Sequence, residues 1–359
     1  MVEPRQRTLD VVRGMAIVAV VLFHLQVPTG IAAVDLALRP FAVAGWAGVD
    51  LFFVLSGFLV GGNILRESEA GGFDRRRFFV RRALRLWPAL YLYLAALMIV
   101  GGPGAWKMVW PVLFHVQNYA ADIPSHLWSL AVEEHFYLSA AMLLPMLRAR
   151  FGVKAVIGGM VAVIVGCGLL RIGALAMGET LKHAQWRTEY RADGLAFGVL
   201  IAAVRLYRPA SFAAIERRRR LLLIGAVLGF ALLAATREDA LRYGPGLIVA
   251  YLASGALIVA MVGATVPRFL QRPAAALGGL GTIAYSLYLW HASAGAVAGA
   301  AMAGSAPITV LIVKLGAAIA VGAILYRAVE RPIAASRYRA AAIQTPTACP
   351  SFEIARHLQ

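Results

Sequence analysis

The chain has 359 residues, 60% of them hydrophobic and 15% charged, with a formal net charge of +17 and a mean hydropathy of +0.73. A soluble domain carries about 45–50% apolar residues, so this composition excludes an ordinary water-soluble globule and points to a polytopic membrane protein. Two cysteines, Cys167 in an apolar run and Cys349 near the end, give neither a disulfide framework nor metal-ligand spacing, and no metal is expected.

Apolar runs long enough to cross a bilayer occur at about 9–27, 45–65, 83–101, 127–147, 154–176, 190–206, 220–236, 245–264, 278–300 and 306–328. They predict an all-α bundle of about ten transmembrane helices. The first run carries Arg13 in its own body and lacks a convincing small-residue cleavage site, so it is expected to stay as a helix. The stretch 105–119 is too short and broken to span, which predicts an interfacial or re-entrant piece. Residues 1–339 are read as one transmembrane domain, and 340–359, with Pro346 and Pro350, as a short disordered or membrane-lying tail. Pairs such as Gly57 with Gly61 and Gly225 with Gly229 are spaced for close helix contact.

An even number of spans places both termini on one side. That side holds 25 of the 35 Lys and Arg, against eight on the other and two, Arg13 and Lys314, inside spans. The asymmetry makes the first side, and both termini, cytoplasmic. The positive charge therefore reports orientation in a membrane, and no nucleic-acid partner is expected.

Five stretches carry chemistry. In LDVVRGMAIVAVVLFH, Arg13 and His24 are eleven residues apart, close to three helical turns. Both side chains then emerge on one face, roughly 16 Å apart along the axis. Charged and titratable groups inside lipid are costly and face a polar interior; the plainer alternative is that Arg13 pairs locally with Asp10. In WAGVDLFFVLSGFLV, Asp50 enters an apolar helix at the level of His24, either to orient an imidazole or as a helix N-terminal acid in water. In RRRFFVRRALRLWPALY, six arginines fall within eleven residues, more than topology requires. Arginine forks bind phosphate oxygens in bidentate fashion. In HLWSLAVEEHFYL, Trp128, Ser129, Glu133, Glu134, His135 and Tyr137 crowd one helix end. Adjacent carboxylates cannot share a helix face, and which of Glu133 and Glu134 faces a site stays open. IAYSLYLWH closes on His291, its aromatics also readable as an interfacial belt. The Glu330–Arg331 pair before Pro332 reads as structural.

These stretches, in this order over residues 9–291, resemble the integral-membrane acyltransferase-3 family, whose members acylate sugars of cell-surface polysaccharides, lipopolysaccharide, Nod factors or macrolides. The resemblance implies a ten-helix core, an acyl-CoA donor taken from the cytoplasm, and a requirement for Arg13 and His24 in transfer. It implies donor-phosphate contacts at Arg77, Arg81, Arg82 and Arg85. Some members add a C-terminal hydrolase-like domain; none is expected here.

The expected activity is O-acyl transfer, acetyl first, from acyl-CoA to a sugar hydroxyl of a surface glycan or glycolipid at the cell membrane. His24 is the candidate base. Glu133 or Asp50 is expected to hold its tautomer, and Arg13 to meet donor phosphate or developing negative charge. Trp128, Ser129, Glu134 and His291 are candidates for holding the acceptor. Self-association is left open. The rival reading is a proton-coupled transporter or flippase of a polar or lipid-linked substrate, which accounts for intramembrane charges but not for the arginine cluster.

Overall fold

The computed structural model describes residues 7–120, 124–236 and 238–335, and these form helices joined by short turns, with no β-strand among them. The predicted tail 340–359, with Cys349, lies outside the described residues, as do Arg5, Arg237, Arg337, Arg339 and Arg356.

The first apolar run forms α1 (Arg7–Leu25). A loop in which Asp35 accepts hydrogen bonds from the Thr29 amide and hydroxyl (2.8 and 2.7 Å) leads to the peripheral α2 (Ala32–Ala44). Next, α3 (Ala47–Ser56) passes through a π-turn at Gly57–Gly61 into α4 (Gly62–Glu69). The Asp74 carboxylate accepts from the Arg77 amide and starts α5 (Arg75–Gly101), an N-cap of the usual kind. The stretch predicted to be interfacial holds α6 (Trp106–Leu113) between 3-10 turns. Two predicted runs are continuous as α7 (Trp128–Ala176), broken at Gly152, whose φ of 79° only glycine adopts without strain.

After α8 (Leu181–Trp186), α9 (Thr188–Tyr207) meets α10 (Pro209–Glu216) at a bend of 112°. The rest comprises α11 (Arg219–Ala235), α12 (Asp239–Tyr243), α13 (Pro245–Met261), α14 (Gln271–Thr282), α15 (Ala284–Ala301) and α16 (Pro307–Leu325). A second π-turn, Tyr326–Glu330, extends α16.

Five described segments are long and apolar enough to cross a membrane: Arg7–Leu25, Ala47–Glu69, Arg75–Gly101, Ser125–Ala176 and Pro307–Ala335. Counting the bent α8–α10 unit makes six. A helix occupies each of the ten predicted runs, but α11 and α13 have only 17 residues and the ninth run is split at Ile283. The protein is an all-helical, membrane-type bundle; ten crossings and cytoplasmic termini belong to the reading proposed below.

The widest helix pairings are α15 with α16, α7 with α9, α1 with α14, and α11 with α13. Several crossings depend on glycine, two of them with the closest approaches. A Cβ on Gly14 would lie 1.9 Å from the Leu277 carbonyl oxygen, and one on Gly281 2.0 Å from that of Asp10, so α1 and α14 touch backbone to backbone. A Cβ on Gly57 or Gly198 would meet the Leu195 or Val54 carbonyl at 2.0 or 2.1 Å, fixing the π-turn against α9. Of the predicted contact glycines, Gly57, Gly61 and Gly229 are packed, whereas nothing lies within 4 Å of a Cβ on Gly225. Gly198→Val should therefore cost about 3 kcal/mol or more through overpacking. Gly225→Ala should be neutral or stabilising by up to about 1 kcal/mol. Thermal unfolding of the two variants in one detergent checks the contrast.

Candidate functional site

The arginine-rich end of the bundle holds a cavity of about 1000 Å³ between α1, α3, α4, α5, α7, α9, α14 and α15. Six arginines line it: Arg13, Arg66, Arg81, Arg82, Arg85 and Arg205. Both π-turns border it, through Phe58 and Glu330, in keeping with the frequent placement of such turns at functional sites. Apolar residues such as Leu9, Val49 and Phe52 share its lining, which also reaches Ser129 and Tyr288.

The mouth is held by ion pairs between helices. Arg81 donates to both carboxylate oxygens of Glu67, at 3.1 and 3.2 Å. Arg148 and Tyr207 both reach Glu69, tying α7 and α9 to α4. Arg13 binds Asp10 at 2.5 Å and still borders the cavity, so the local pair and the cavity-facing reading hold together. Arg85 is exposed to the cavity. Arg77 is exposed and does not border it; its backbone amide completes the α5 cap.

Glu133 is committed to the cavity wall. It accepts from Ser56 Oγ (3.1 Å) and Tyr137 OH (2.9 Å), and Arg82 lies 3.8 Å from it with its guanidinium over the Tyr137 ring. Glu134 does not border the cavity and lies within electrostatic reach of Arg82, Tyr91 and Tyr285. Asp50 is buried and takes a hydrogen bond from Arg191 at 2.9 Å, beside a second buried pair, Arg171 with Asp193 at 2.8 Å. The Arg191 guanidinium also lies 5.5 Å from the rings of Phe53 and Trp128, and Trp128 stacks on Trp186. Neither carboxylate expected to hold the His24 tautomer contacts His24 among the described residues. Each is drawn instead to an arginine, because an unpaired charge in an apolar interior costs more than an unpaired imidazole.

His24 meets two other histidines. Its ring centroid is 5.0 Å from that of His291 and 6.5 Å from that of His126, and His126 and His291 are 5.0 Å apart. His126 and His291 are buried, while His24 is exposed and does not border the cavity. Between them and the cavity stands Tyr288, whose hydroxyl donates to the His126 carbonyl and accepts from Ser129 Oγ at 2.6 Å. The ring nitrogens of His126 and His291 face backbone carbonyls of Leu289 and Tyr288. Among the described residues, no group of three or more His, Cys, Asp or Glu is placed to hold a metal ion.

The structure thus gathers Arg13, Arg81, Arg82, Arg85, Glu133 and Ser129 around the cavity, and His24 and His291 behind its inner end. Asp50 and Trp128 form a separate buried cluster with Arg191. Sequence reasoning missed Arg66, Arg205, Arg191, His126 and the cavity position of Glu330. His126 opens a motif already singled out, and Arg205 is a cation inside the end of a predicted span, so both had a signal. Arg191 was counted only for topology.

A family model described as an acyltransferase domain matches residues 6–327. The peptidoglycan O-acetyltransferase OatA of Listeria monocytogenes is 27% identical over 320 residues, covering 79% of this chain and 48% of the relative. The putative peptidoglycan O-acetyltransferase YrhL of Bacillus subtilis is 27% identical, covering 79% of this chain and 47% of the relative. The O-acetyltransferase OatA of Staphylococcus aureus is 24% identical, covering 92% and 58%. The chain spans about half the length of these curated relatives. No solved structure matches.

The buried pairs set a stability test. Removing one member of such a pair strands a charge and costs about 3–5 kcal/mol. Asp50→Leu and Arg191→Leu are each expected to lower the melting temperature sharply, and the double variant to recover much of the loss, as thermal scans of all three would register.

Proposed function

The chain belongs to the acyltransferase family whose domain model spans residues 6–327, and from that premise we propose that it is a membrane O-acyltransferase moving acetyl from acyl-CoA to a sugar hydroxyl of a cell-envelope glycan or glycolipid. The observation that carries the reading is the arginine-lined cavity of about 1000 Å³ whose lining reaches Tyr288, a ring packed against the histidine cluster. A coenzyme A thioester has that distribution of chemistry: phosphates at one end, a long uncharged arm, and a reactive carbonyl at the other. Arg66, Arg81, Arg85 and Arg205 meet the phosphates from the cytoplasmic side, with both termini on that side of a ten-helix bundle. The arm runs inward to Ser129 and Tyr288. The O-acetyltransferase names of the relatives support acetyl as the group and a glycan as the acceptor.

In this mechanism His24, on the far side of Tyr288, removes the proton from the acceptor hydroxyl. The oxygen attacks the thioester carbonyl, the C–O bond forms as the C–S bond breaks, and the proton returns from His24 to the departing thiolate. Arg82, locked by Glu133 and Tyr137, puts fixed positive charge beside the donor channel. The acceptor approaches the exposed side of His24, and the thioester must displace the Ser129–Tyr288 hydrogen bond to meet it.

Two outcomes are expected. Acetyl-CoA should raise the melting temperature of the purified protein, less so at high salt as the arginine–phosphate attraction is screened. Arg85→Ala should weaken this protection, and Arg77→Ala, away from the cavity, should leave it intact. In liposomes, wild-type protein should pass labelled acetyl from acetyl-CoA to native envelope glycans. His24→Ala should lose at least about 100-fold in rate while keeping CoA protection. Undiminished transfer by a folded His24→Ala protein would remove His24 from the chemistry. Absence of both CoA binding and transfer in wild type would favour a transporter.

A further inference from the structure

Three carbonyl and imidazole contacts determine where the protons sit on His24 and His291. His291 Nδ1 lies 2.8 Å from the Tyr288 carbonyl oxygen. A carbonyl only accepts, so His291 Nδ1 carries the proton and, in the neutral ring, Nε2 is left with its lone pair. That Nε2 lies 3.2 Å from His24 Nδ1. His24 Nδ1 also lies 3.0 Å from the Val20 carbonyl oxygen. Both neighbours of His24 Nδ1 are acceptors, so this nitrogen holds the proton and shares it between them. The proton chain runs in one direction, from His24 Nδ1 to His291 Nε2 and from His291 Nδ1 to Tyr288. It leaves His24 Nε2 as a bare lone pair, for which no hydrogen-bond partner occurs among the described residues.

We propose that His291 is the positioning residue of the site: it holds His24 in the Nδ1–H tautomer with Nε2 as the base atom, and supports the imidazolium formed when Nε2 takes the acceptor's proton. The inference rests on the acyl-transfer reading above. In serine hydrolases a buried carboxylate accepts from the catalytic imidazole for the same two purposes. Here the nearby carboxylates are committed elsewhere, Asp50 to Arg191 and Glu133 to Ser56 and Tyr137. A neutral imidazole takes their place, anchored through its second nitrogen as metal-bound or catalytic histidines usually are. It does so without adding a net charge to the apolar bundle, where an unpaired carboxylate would be costly. His291 is fully buried, which fixes its ring, whereas His24 keeps an exposed edge for the acceptor.

The test combines a spectrum with kinetics. Nitrogen NMR of histidine-labelled protein in nanodiscs at mildly alkaline pH, with His24 assigned by loss of its signals in His24→Ala, reads the tautomer without any turnover. The expected spectrum has His24 protonated at Nδ1 and bare at Nε2. In kinetics, His291→Phe should lower kcat on the order of 100-fold with the KM for acetyl-CoA unchanged. His291→Gln, whose amide oxygen accepts the same hydrogen bond, should return to within about 10-fold of wild type. A proton on His24 Nε2 in the wild-type spectrum would overturn the proposal, as would wild-type kcat in His291→Phe or equal losses in the Phe and Gln variants. Failure of the acyl-transfer reading would show separately, as a wild-type protein that transfers no acetyl whatever its spectrum.

Discussion

A charge inside an apolar helical bundle has to be answered by another charge, and this requirement organises the molecule. Asp50 and Arg191, Arg171 and Asp193, and Arg82 with Glu133 each join different helices, and each pair consumes a carboxylate. At the cavity mouth Arg81 is answered by Glu67, and Arg85 is exposed, so solvent carries part of the cost there. The same accounting explains the histidine cluster. An imidazole pairs with a carbonyl or another imidazole while neutral, so the bundle keeps it at this end without a counter-ion.

The cavity and the histidines are separated by one ring. Tyr288 donates to the His126 carbonyl and receives Ser129, so the partition is made of hydrogen bonds whose donors are all satisfied internally. A bond such as that between Ser129 and Tyr288 contributes about 0.5–1.5 kcal/mol net, so the proposed donor's arm would give up little by replacing it. Backbone-to-backbone crossings of α1 on α14 and of the Gly57 turn on α9 pack the surrounding helices closely.

The legible part of this arrangement was local. Span positions follow from apolar runs, the break at Gly152 falls between two of them, and the arginine cluster announces itself by density. Arg13 and His24 share a helix because their spacing is near three turns. Pairing across the bundle was not legible. Asp50 and Arg191 are 141 residues apart and His24 and His291 267 apart, and nothing in either neighbourhood names its partner. For that reason Asp50 and Glu133, the acids nearest in level to His24, were expected beside it, when stronger cations lay closer in space. Helix lengths were legible only in part: a run split by an internal turn at Ile283 reads as a simple span in one dimension.

The two π-turns carry a consequence for how this chain tolerates changes in length. A π-turn accommodates one residue more than a regular turn, and each residue of an α-helix advances the side chains by about 100°. Deleting one residue from Gly57–Gly61 would let α3 and α4 join as a regular helix while Asn63, Arg66 and Glu67 stay on the cavity face. Deleting one from the turn ahead of Glu330 would likewise leave Glu330 on the side of Ser286. The same deletion in a regular turn of α3 or α16 would rotate every later side chain by about 100°. The two widened turns are therefore the places where these helices can lose a residue and keep their faces.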